Sequence, residues 1–378
     1  MDKQSVDLKA RIVSVDVLRG LAMFLILATQ IGGAFIFRTF NNMVWDKHWP
    51  QFVTSQLSWD NERVSFINLA QSIFVFVVGV VLPFSIQNRV LRTGKTKTCV
   101  SIVRRSLILF LFGLIAGGKL LNLPQAHRTL ATIPVYNNVL EYISISYLVC
   151  ALVVLAASAR VQYFITGGLL LLYWAPWLFI PAPGWQGDIY SKQMNIGMYV
   201  ENIVLGQHGS HFGAWTGIFN TVSHIAIAMI GVLVGRMLFG GRERVAKAKL
   251  LFISGFAMIA VGEIWGLFFP IMRCFMTSTF VLVSVGVAVL LLGSLYVVID
   301  IWGYSKWAFF FYVFGVNSIA IYMMAHTFDF RLIGNVVVGG FSHLFAPSVE
   351  AFIQAMTAMA VMWLITYYMY VKKTFLRV

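Results

Sequence analysis

Long apolar stretches recur along the whole chain and constrain its fold more than any other feature. About 20 apolar residues are enough to cross the ~30 Å hydrocarbon core of a bilayer as a helix. A lipid-facing backbone has no partner but itself for its N–H and C=O groups, so each stretch is predicted to be helical. Ten such stretches occur in the 378 residues, at about 18–38, 65–88, 101–118, 136–157, 161–180, 219–240, 248–270, 277–298, 306–327 and 351–371.

The composition excludes the main alternatives to a membrane protein. Hydrophobic residues make up 59% of the chain and charged residues only 11%, against roughly 25% charged in an ordinary soluble domain. Too few polar residues remain to cover a soluble fold of this size, and the same numbers exclude intrinsic disorder. The sequence therefore predicts an all-α, polytopic integral membrane protein with about ten transmembrane helices, forming a single domain over residues 1–378.

The distribution of basic residues predicts the orientation of these helices. With the N-terminus in the cytoplasm, 20 of the 28 Lys and Arg residues fall on the cytoplasmic side, in line with the positive-inside rule. Both termini are therefore expected in the cytoplasm, and the net charge of +14 reflects topology rather than a nucleic-acid partner. Residues 1–17 carry no signal peptide and the chain has no Asn-x-Ser/Thr acceptor, which favours a bacterial inner (cytoplasmic) membrane.

Seven polar or ionisable side chains fall inside the predicted spans, where such groups are costly. A charge at the bilayer centre costs about 2.5–3.5 kcal/mol on insertion scales, so each one is a candidate functional group. Six of the seven are predicted in the outer half of the membrane, which favours one extracytoplasmic site. The seven are Gln30, Asn68, Glu141, His224, Glu263, Asn317 and His326.

Structural explanations compete with a functional site for these residues. Gln30 and Asn68 are also explained by hydrogen bonds to neighbouring helices, and the histidines by anchoring at the membrane interface. Glu263 is also explained by a buried ion pair with Arg273 or a histidine, and Glu141 by protonation or by reaching outward. In the functional alternative, carboxylates and imidazoles suit general acid–base catalysis.

A second polar set lies at the predicted cytoplasmic face. Asp16 and Arg19 enter the first span, and Arg104 and Arg105 open the third. Arginines beside a helix start can hold an anionic group such as phosphate. The positive-inside rule alone explains them equally simply.

Familiar catalytic and metal-binding motifs do not occur in the sequence. Cys99, Cys150 and Cys274 have no metal-ligand spacing, and no G-x-x-x-x-G-K-[ST], H-E-x-x-H, C-x-x-C or G-x-S-x-G is present. No metal is therefore expected. Two long predicted outer loops, at about 39–64 and 181–218, are either the walls of a site or simple connections.

Eight segments, in order along nearly the whole chain, together resemble one known family. The first is Arg11-x-x-Ser14-x-Asp16-x-x-Arg19-Gly20, which enters the first span. The others are Phe74–Ser85, Val139–Leu148, Pro183–Asp188 with Asn195, Ile230–Gly235, Pro270–Phe280, Phe314–Ser318 and Trp363–Phe375. The family that they resemble is that of the transmembrane heparan-α-glucosaminide N-acetyltransferases and their bacterial relatives.

The resemblance implies transfer of an acetyl or other acyl group across a membrane. Cytosolic acetyl-CoA would be the co-substrate, and the acceptor would be an amine or hydroxyl of an extracytoplasmic sugar. The partners expected are membrane lipid and a small-molecule or glycan acceptor, with a homodimer left open.

We expect the following roles for individual residues in such a transfer. Arg19, Arg104 and Arg105 would attract the CoA phosphates, and Asp16 would orient Arg19. Glu263 and His326 are the first candidates for base and orienter, with His48 third. The other residues expected to bind substrate or cofactor are Gln30, Asn68, Glu141, Arg273 and Asn317.

Several polar positions of the family's site differ in this chain. The family's histidine in the first outer loop aligns with Ser58 or Trp59, and its second-helix Asp aligns with Asn68. Further differences fall at Gln30, Glu141, Tyr142, Met272 and Met276. Two alternatives to an active acyltransferase therefore stay open: a transporter or flippase for a sugar or lipid-linked sugar, and a catalytically inactive family member.

Overall fold

The computed structural model describes most of the chain as helices joined by turns. The residues it describes are 12–29, 36–44, 56, 64–117, 135–136, 138–180, 184, 187–191, 194–206, 217–374 and 376. Every regular element among them is helical, which confirms the predicted all-α class. The helices are α1 (Val13–Thr29), α2 (Ile36–Val44), α3 (Leu69–Thr93), α4 (Lys95–Ala116), α5 (Val139–Ala156), α6 (Ala159–Phe179), α7 (Ile196–Leu205), α8 (Gly217–Leu238), α9 (Arg244–Gly266), α10 (Ser278–Leu295, continued by a π-helical turn to Ile301), α11 (Phe309–Val316, preceded by a 3-10 turn), α12 (Ser318–Thr327), α13 (Phe330–Ser342) and α14 (Pro347–Val371).

Seven of the described helices are long and apolar enough to cross a membrane: α3, α4, α5, α8, α9, α10 and α14. The number is eight if α11 and α12, which meet at a bend of 64°, form one broken span. The two other predicted spans correspond to α1, which has 17 residues, and α6. The chain is therefore an integral membrane protein by the length and apolarity of its helices, and the count of ten stays a prediction.

Two compact units divide the residues that were predicted to be a single domain. The larger unit comprises Val75–Ser294, and the smaller unit comprises Ile12–Phe74 and Leu295–Arg377. The smaller unit is thus built from two segments that lie far apart in the sequence.

Close contact of helix backbones holds α3 against α8 in the larger unit. Glycines replace side chains along this crossing, and a Cβ on Gly79, Gly231 or Gly235 would overlap a backbone carbonyl oxygen of the facing helix. Small residues permit such close approach between helices in a membrane. This crossing fixes the position of α8, which carries Asn220 and His224.

A similar crossing joins α1 to α11 in the smaller unit. A Cβ on Gly20 would overlap Phe311 O, and a Cβ on Gly315 would overlap Asp16 O. The start of α1 is held by Asp300, whose carboxylate oxygens each accept one backbone N–H, from Val13 and Ser14, at 3.2 Å. A carboxylate at a helix N-terminus satisfies backbone donors and complements the helix dipole. Asp16 and Arg19 are positioned by this arrangement.

Candidate functional site

The larger unit contains a set of buried polar side chains that we call the buried polar cluster. Its members come from α5, α6, α7, α8 and the turn before α10. They are Glu141, Tyr142, Tyr173, Glu201, Asn220, His224 and Arg273.

His224 lies at the centre of the buried polar cluster and is only 1% exposed. Its Nδ1 is 2.8 Å from Asn220 O, one turn earlier on α8. A carbonyl oxygen only accepts, so in the neutral ring Nδ1 carries the hydrogen and Nε2 keeps its lone pair. The ring also stacks on Tyr142 of α5, with centroids 4.5 Å apart and planes 8° apart. The structure thus holds an imidazole in one orientation, with its basic nitrogen directed away from its own helix backbone.

Asn220 connects the imidazole to α6 and to the turn before α10. Its side-chain Oδ1 accepts from the Tyr173 hydroxyl at 3.0 Å, and its Nδ2 donates to Cys274 O at 3.3 Å. The Tyr173 hydroxyl also contacts Phe275 O. Satisfied buried polar groups such as these make a network rigid.

Two buried charged residues, Arg273 and Glu201, act electrostatically on members of this network. Arg273, 2% exposed, is close enough for its charge to act on His224. Glu201 of α7 acts electrostatically on Tyr142 and accepts the backbone N–H of Gly217 at 2.6 Å. Gly217 is the first residue of α8, so the Glu201 carboxylate complements the positive end of that helix dipole.

Glu141 occupies a fully buried position in the first turn of α5. It accepts the backbone N–H of Tyr136, and the Tyr142 hydroxyl donates to Tyr136 O. Tyr136 has φ of 60°, in the left-handed region that non-glycine residues rarely adopt. Burial, and secondarily the Glu141 charge, raises the pKa of the Tyr136 phenol. Gly113 of α4 leaves room for Glu141, because a Cβ there would lie 2.6 Å from the Glu141 Cγ.

The predicted outer loop at 181–218 contributes to this region in its described part. Tyr190 stacks on Trp177 of α6 at 5.7 Å between ring centroids. Burial, with a smaller contribution from Asp188, raises the pKa of Tyr190. The same loop forms α7, which carries Glu201, so this part of the loop does more than connect α6 to α8.

In the smaller unit, Asp16 and Arg19 form a fixed pair. The Arg19 Nη2 donates to Asp16 Oδ1 at 2.7 Å, and its Nε donates to Gly315 O at 2.6 Å. Two of the guanidinium's donor groups are therefore used by the protein itself. The contact with Asp16 is the one expected of a residue that orients Arg19.

Asn317 lies at the break between α11 and α12, where the helix axis bends by 64°. The side chain is 3% exposed, and neither its Nδ2 nor its Oδ1 has a hydrogen-bond partner among the residues that the structure describes. A buried amide without partners costs about 1–3 kcal/mol. A ligand amide would bond to both atoms, whereas a ligand carbonyl would accept from Nδ2 alone.

His326 and Asn68, two other predicted site residues, also lie in the smaller unit. His326 is half-buried near the end of α12, with Nδ1 2.9 Å from Tyr322 O and its ring 4.1 Å from the Tyr322 ring. Asn68 is buried just before α3, and its backbone N–H donates to Ser65 Oγ at 3.4 Å. Of the predicted residues, the structure brings Glu141 and Arg273 into the buried polar cluster.

Glu263 does not have the buried position expected of it. It lies three residues before α9 ends at Gly266, and its side chain is exposed. The helix ends about one turn earlier than the predicted span, which places the carboxyl nearer the helix end than expected. Glu263 therefore lies on the exposed face of α9 and is not one of the buried polar groups of its unit.

Arg104 and Arg105 also differ from expectation. They lie about halfway along α4, which has 22 residues and begins at Lys95, rather than at the start of a helix. Arg104 is exposed, whereas Arg105 is half-buried with its Cζ 4.8 Å above the ring of Tyr147 on α5. The polar segment before the predicted span is itself helical, so the two arginines lie in the middle of the helix and not at its start. Gln30 and His48 lie outside the described residues.

Four members of the buried polar cluster were missed by sequence reasoning, which noted His224 but did not choose it as catalytic. Asn220 and His224 are spaced four apart within an apolar run, the spacing that places two side chains on one helix face. Glu201 is the only acidic residue between 189 and 242. These two signals could have indicated the cluster. Tyr142 is singled out by the sequence only as a position that differs from the family's site, and Tyr173 carries no signal among the many aromatic residues.

Neither a search for metal sites nor comparison with known proteins assigns a function to the buried polar cluster. Among the described residues, no three His, Cys, Asp or Glu side chains lie together as a metal site would require. No family model matches the chain, and no curated protein matches it.

Proposed function

We propose that this protein is a membrane-embedded acyltransferase. It would move an acetyl or longer acyl group from cytosolic acyl-CoA to an amine or hydroxyl of an extracytoplasmic sugar. The proposal includes ten membrane crossings with both termini in the cytoplasm of a bacterial cell. It extends the sequence resemblance, with the catalytic residues reassigned from the geometry.

The observation that carries the proposal is the orientation of His224. Acyl transfer to an amine or hydroxyl needs a base that accepts the acceptor's proton while the nucleophile attacks the thioester carbonyl. The C–S bond then breaks, and the CoA thiolate leaves and is protonated. A neutral imidazole with Nδ1 bonded to Asn220 O and its ring fixed on Tyr142 is suited to take that proton at Nε2.

Other residues receive roles that follow from their contacts. Arg273 supplies positive charge beside His224, where an oxyanion develops during attack. Within the smaller unit, Asp16 and Arg19 keep their predicted role toward CoA phosphates, and Asn317 keeps its predicted binding role. His326 is retained as a second candidate base, and Gln30, His48 and Asn68 keep their predicted roles. Glu263 receives none.

The proposal is tested with labelled acetyl-CoA and a glucosamine-containing acceptor. Detergent-purified wild-type protein should form labelled product, and His224→Gln should reduce the rate by about 10²–10⁴, the usual contribution of a positioned general base. His343→Gln is the matched control, because His343 is 67% exposed in the turn after α13. Wild-type protein that neither binds nor consumes acyl-CoA would contradict the proposal.

A transporter for a sugar or lipid-linked sugar is the second candidate. The broken pair α11–α12, with the buried amide of Asn317 at the break, specifically favours it. Transporters commonly bind substrate at such interrupted helices. In proteoliposomes, accumulation of an unmodified sugar that is lost in Asn317→Leu would favour transport over acyl transfer.

A further inference from the structure

A cavity of about 450 Å³ opens in the larger unit, lined by the ends of α3, α5 and α8 and the start of α4. Eight of the twelve residues that line it are apolar. Pro83 and Phe84 of α3, Leu155 of α5 and Phe239 after α8 all line it. The rings of Phe84 and Phe239 stack with their centroids 4.8 Å apart. A cavity of this size and character accepts a small ligand or part of an acyl chain.

Two cationic side chains line the same cavity. Lys95 is the first residue of α4, and Arg236 lies in the last turn of α8. The Arg236 Nε donates to Gln162 Oε1 at 2.7 Å, and Gln162 is itself fully buried and donates to Ala157 O at 3.0 Å. A buried amide therefore orients the guanidinium. Within the described chain, neither Lys95 nor Arg236 forms an ion pair with a carboxylate.

The segments around the cavity are strongly basic. Residues 87–97 and 236–249 contain nine Lys and Arg residues and a single acidic residue, Glu243. The positive end of the α4 dipole lies at Lys95 and adds to the same potential. The unpaired positive charge at the cavity is therefore suited to a negatively charged ligand.

We propose that this cavity binds one anionic phospholipid. Its phosphate would lie between Lys95 and Arg236, and part of an acyl chain would pack on Phe84, Leu155 and Phe239. An apolar wall gives no advantage to a small hydrated anion, whereas it accommodates an acyl chain and excludes water from it. Basic pockets between membrane helices are known to take lipid phosphate groups in this way. The proposal is independent of acyl transfer and of the buried polar cluster.

Native mass spectrometry of the full-length protein in mild detergent tests the proposal. Supplied with phosphatidylglycerol or phosphatidylcholine at equal concentration, the wild type should retain one phosphatidylglycerol and little phosphatidylcholine. The double variant Lys95→Gln/Arg236→Gln should bind phosphatidylglycerol about twenty-fivefold more weakly, since each basic group contributes about fivefold. Equal retention of the two lipids by the wild type would overturn the proposal.

Arg92→Gln is the matched charge control, because Arg92 is exposed near the end of α3, as Lys95 is at the start of α4, but does not line the cavity. Its effect should stay below about twofold, as expected of a solvent-screened charge. If it weakens binding as much as the double variant, the lipid recognises general surface charge and the proposal fails.

A cavity-filling variant covers the case in which the double variant fails to fold. Val154→Trp leaves both cations in place and fills space at a lining position of α5. It should also lose the retained phosphatidylglycerol, and unchanged retention would overturn the proposal. Inorganic phosphate should leave the lipid bound. Displacement of the lipid by an equal concentration of acetyl-CoA would assign the cavity to a soluble thioester and overturn the proposal.

Discussion

Two histidines in this protein share the same local geometry but differ in their surroundings. His224 and His326 each place Nδ1 within 2.9 Å of the carbonyl oxygen four residues earlier. His224 then contacts a tyrosine from another helix, Tyr142, whereas the ring beside His326 is Tyr322 from its own helix. The tautomer of each ring thus follows from helix geometry, while its chemical environment follows from tertiary packing. Only packing distinguishes His224, the first candidate base, from His326, the second.

The largest expected effect comes from exchanging each histidine for glutamine and measuring acyl transfer. His224→Gln should lose about 10²–10⁴ in rate, as expected for a general base, while His326→Gln should lose less than tenfold. If His326→Gln is the more damaging variant, the assignment of the base is reversed. Equal small losses would mean that neither imidazole is the base.

The tyrosines beside the two rings provide the second comparison. Tyr142 and Tyr322 are 2% and 4% exposed, so truncation to alanine should destabilise either variant by about 3 kcal/mol through the cavity left behind. Transfer rate per folded molecule should fall only for Tyr142→Ala, because that ring fixes His224. Thermal unfolding in detergent and the rate measured on the folded fraction separate the two effects. A rate loss shared by both variants would contradict this distinction.

Removing one hydroxyl from the His224 side is expected to have a smaller effect. Tyr173→Phe loses the hydrogen bond to Asn220 Oδ1 and should cost about 1 kcal/mol of stability, a typical value for such bonds in membrane proteins. Tyr199→Phe is the control, because the Tyr199 hydroxyl has no hydrogen-bond partner among the described residues. Equal stabilities of the two variants would show that the Tyr173 bond contributes nothing.

The helices that carry the two histidines, α8 and α12, also begin differently. Glu201 accepts the first N–H of α8, whereas no side chain caps the start of α12. Glu201→Gln keeps an acceptor but removes the charge, so it should cost about 0.5–1 kcal/mol, the usual contribution of an anion at a helix N-terminus. Glu263→Gln, on the exposed face of α9, should leave the melting temperature unchanged. A larger shift for Glu263→Gln would contradict this account of the two carboxylates.

The smallest expected effect is a pH dependence of stability that arises from Tyr136, whose backbone contacts Tyr142 and Glu141. Its pKa is raised in the folded protein, whereas unfolded tyrosine titrates near 10. The resulting stabilisation is complete below that pH and is lost as the pH rises through the folded pKa. Above about pH 10, the melting temperature should therefore fall more steeply with pH for the wild type than for Tyr136→Phe. Tyr163→Phe, exposed on α6, should behave like the wild type.

The sequence predicts the helical class well because the length and apolarity of a membrane helix are local properties. The Asp16–Arg19 contact is equally local, since residues three apart share a helix face. Asn317 can be picked out from the sequence, because an amide within an apolar run is costly to bury whichever direction its side chain takes.

The direction of a side chain around a membrane helix is much harder to predict. A membrane helix is apolar on all sides, so no hydrophobic periodicity indicates which face lies inward. The sequence therefore predicts a buried Glu263, which is exposed in the structure, and it lists His224 without indicating that polar groups from other helices surround it. The positions of Arg104 and Arg105 were mistaken because α4 starts before its apolar segment does.

The bonds from Val13 and Ser14 to Asp300 have a consequence for biosynthesis. These partners are separated by 287 and 286 residues, which a ribosome adding about 5–20 residues per second needs on the order of tens of seconds to cover. During that time the opening N–H groups of α1 lack their Asp300 partner. The contact between α1 and Asp300 can form only after residues 75–294 have been synthesised. Truncated nascent chains that end before residue 300 should therefore leave α1 more accessible to protease than chains that end beyond it.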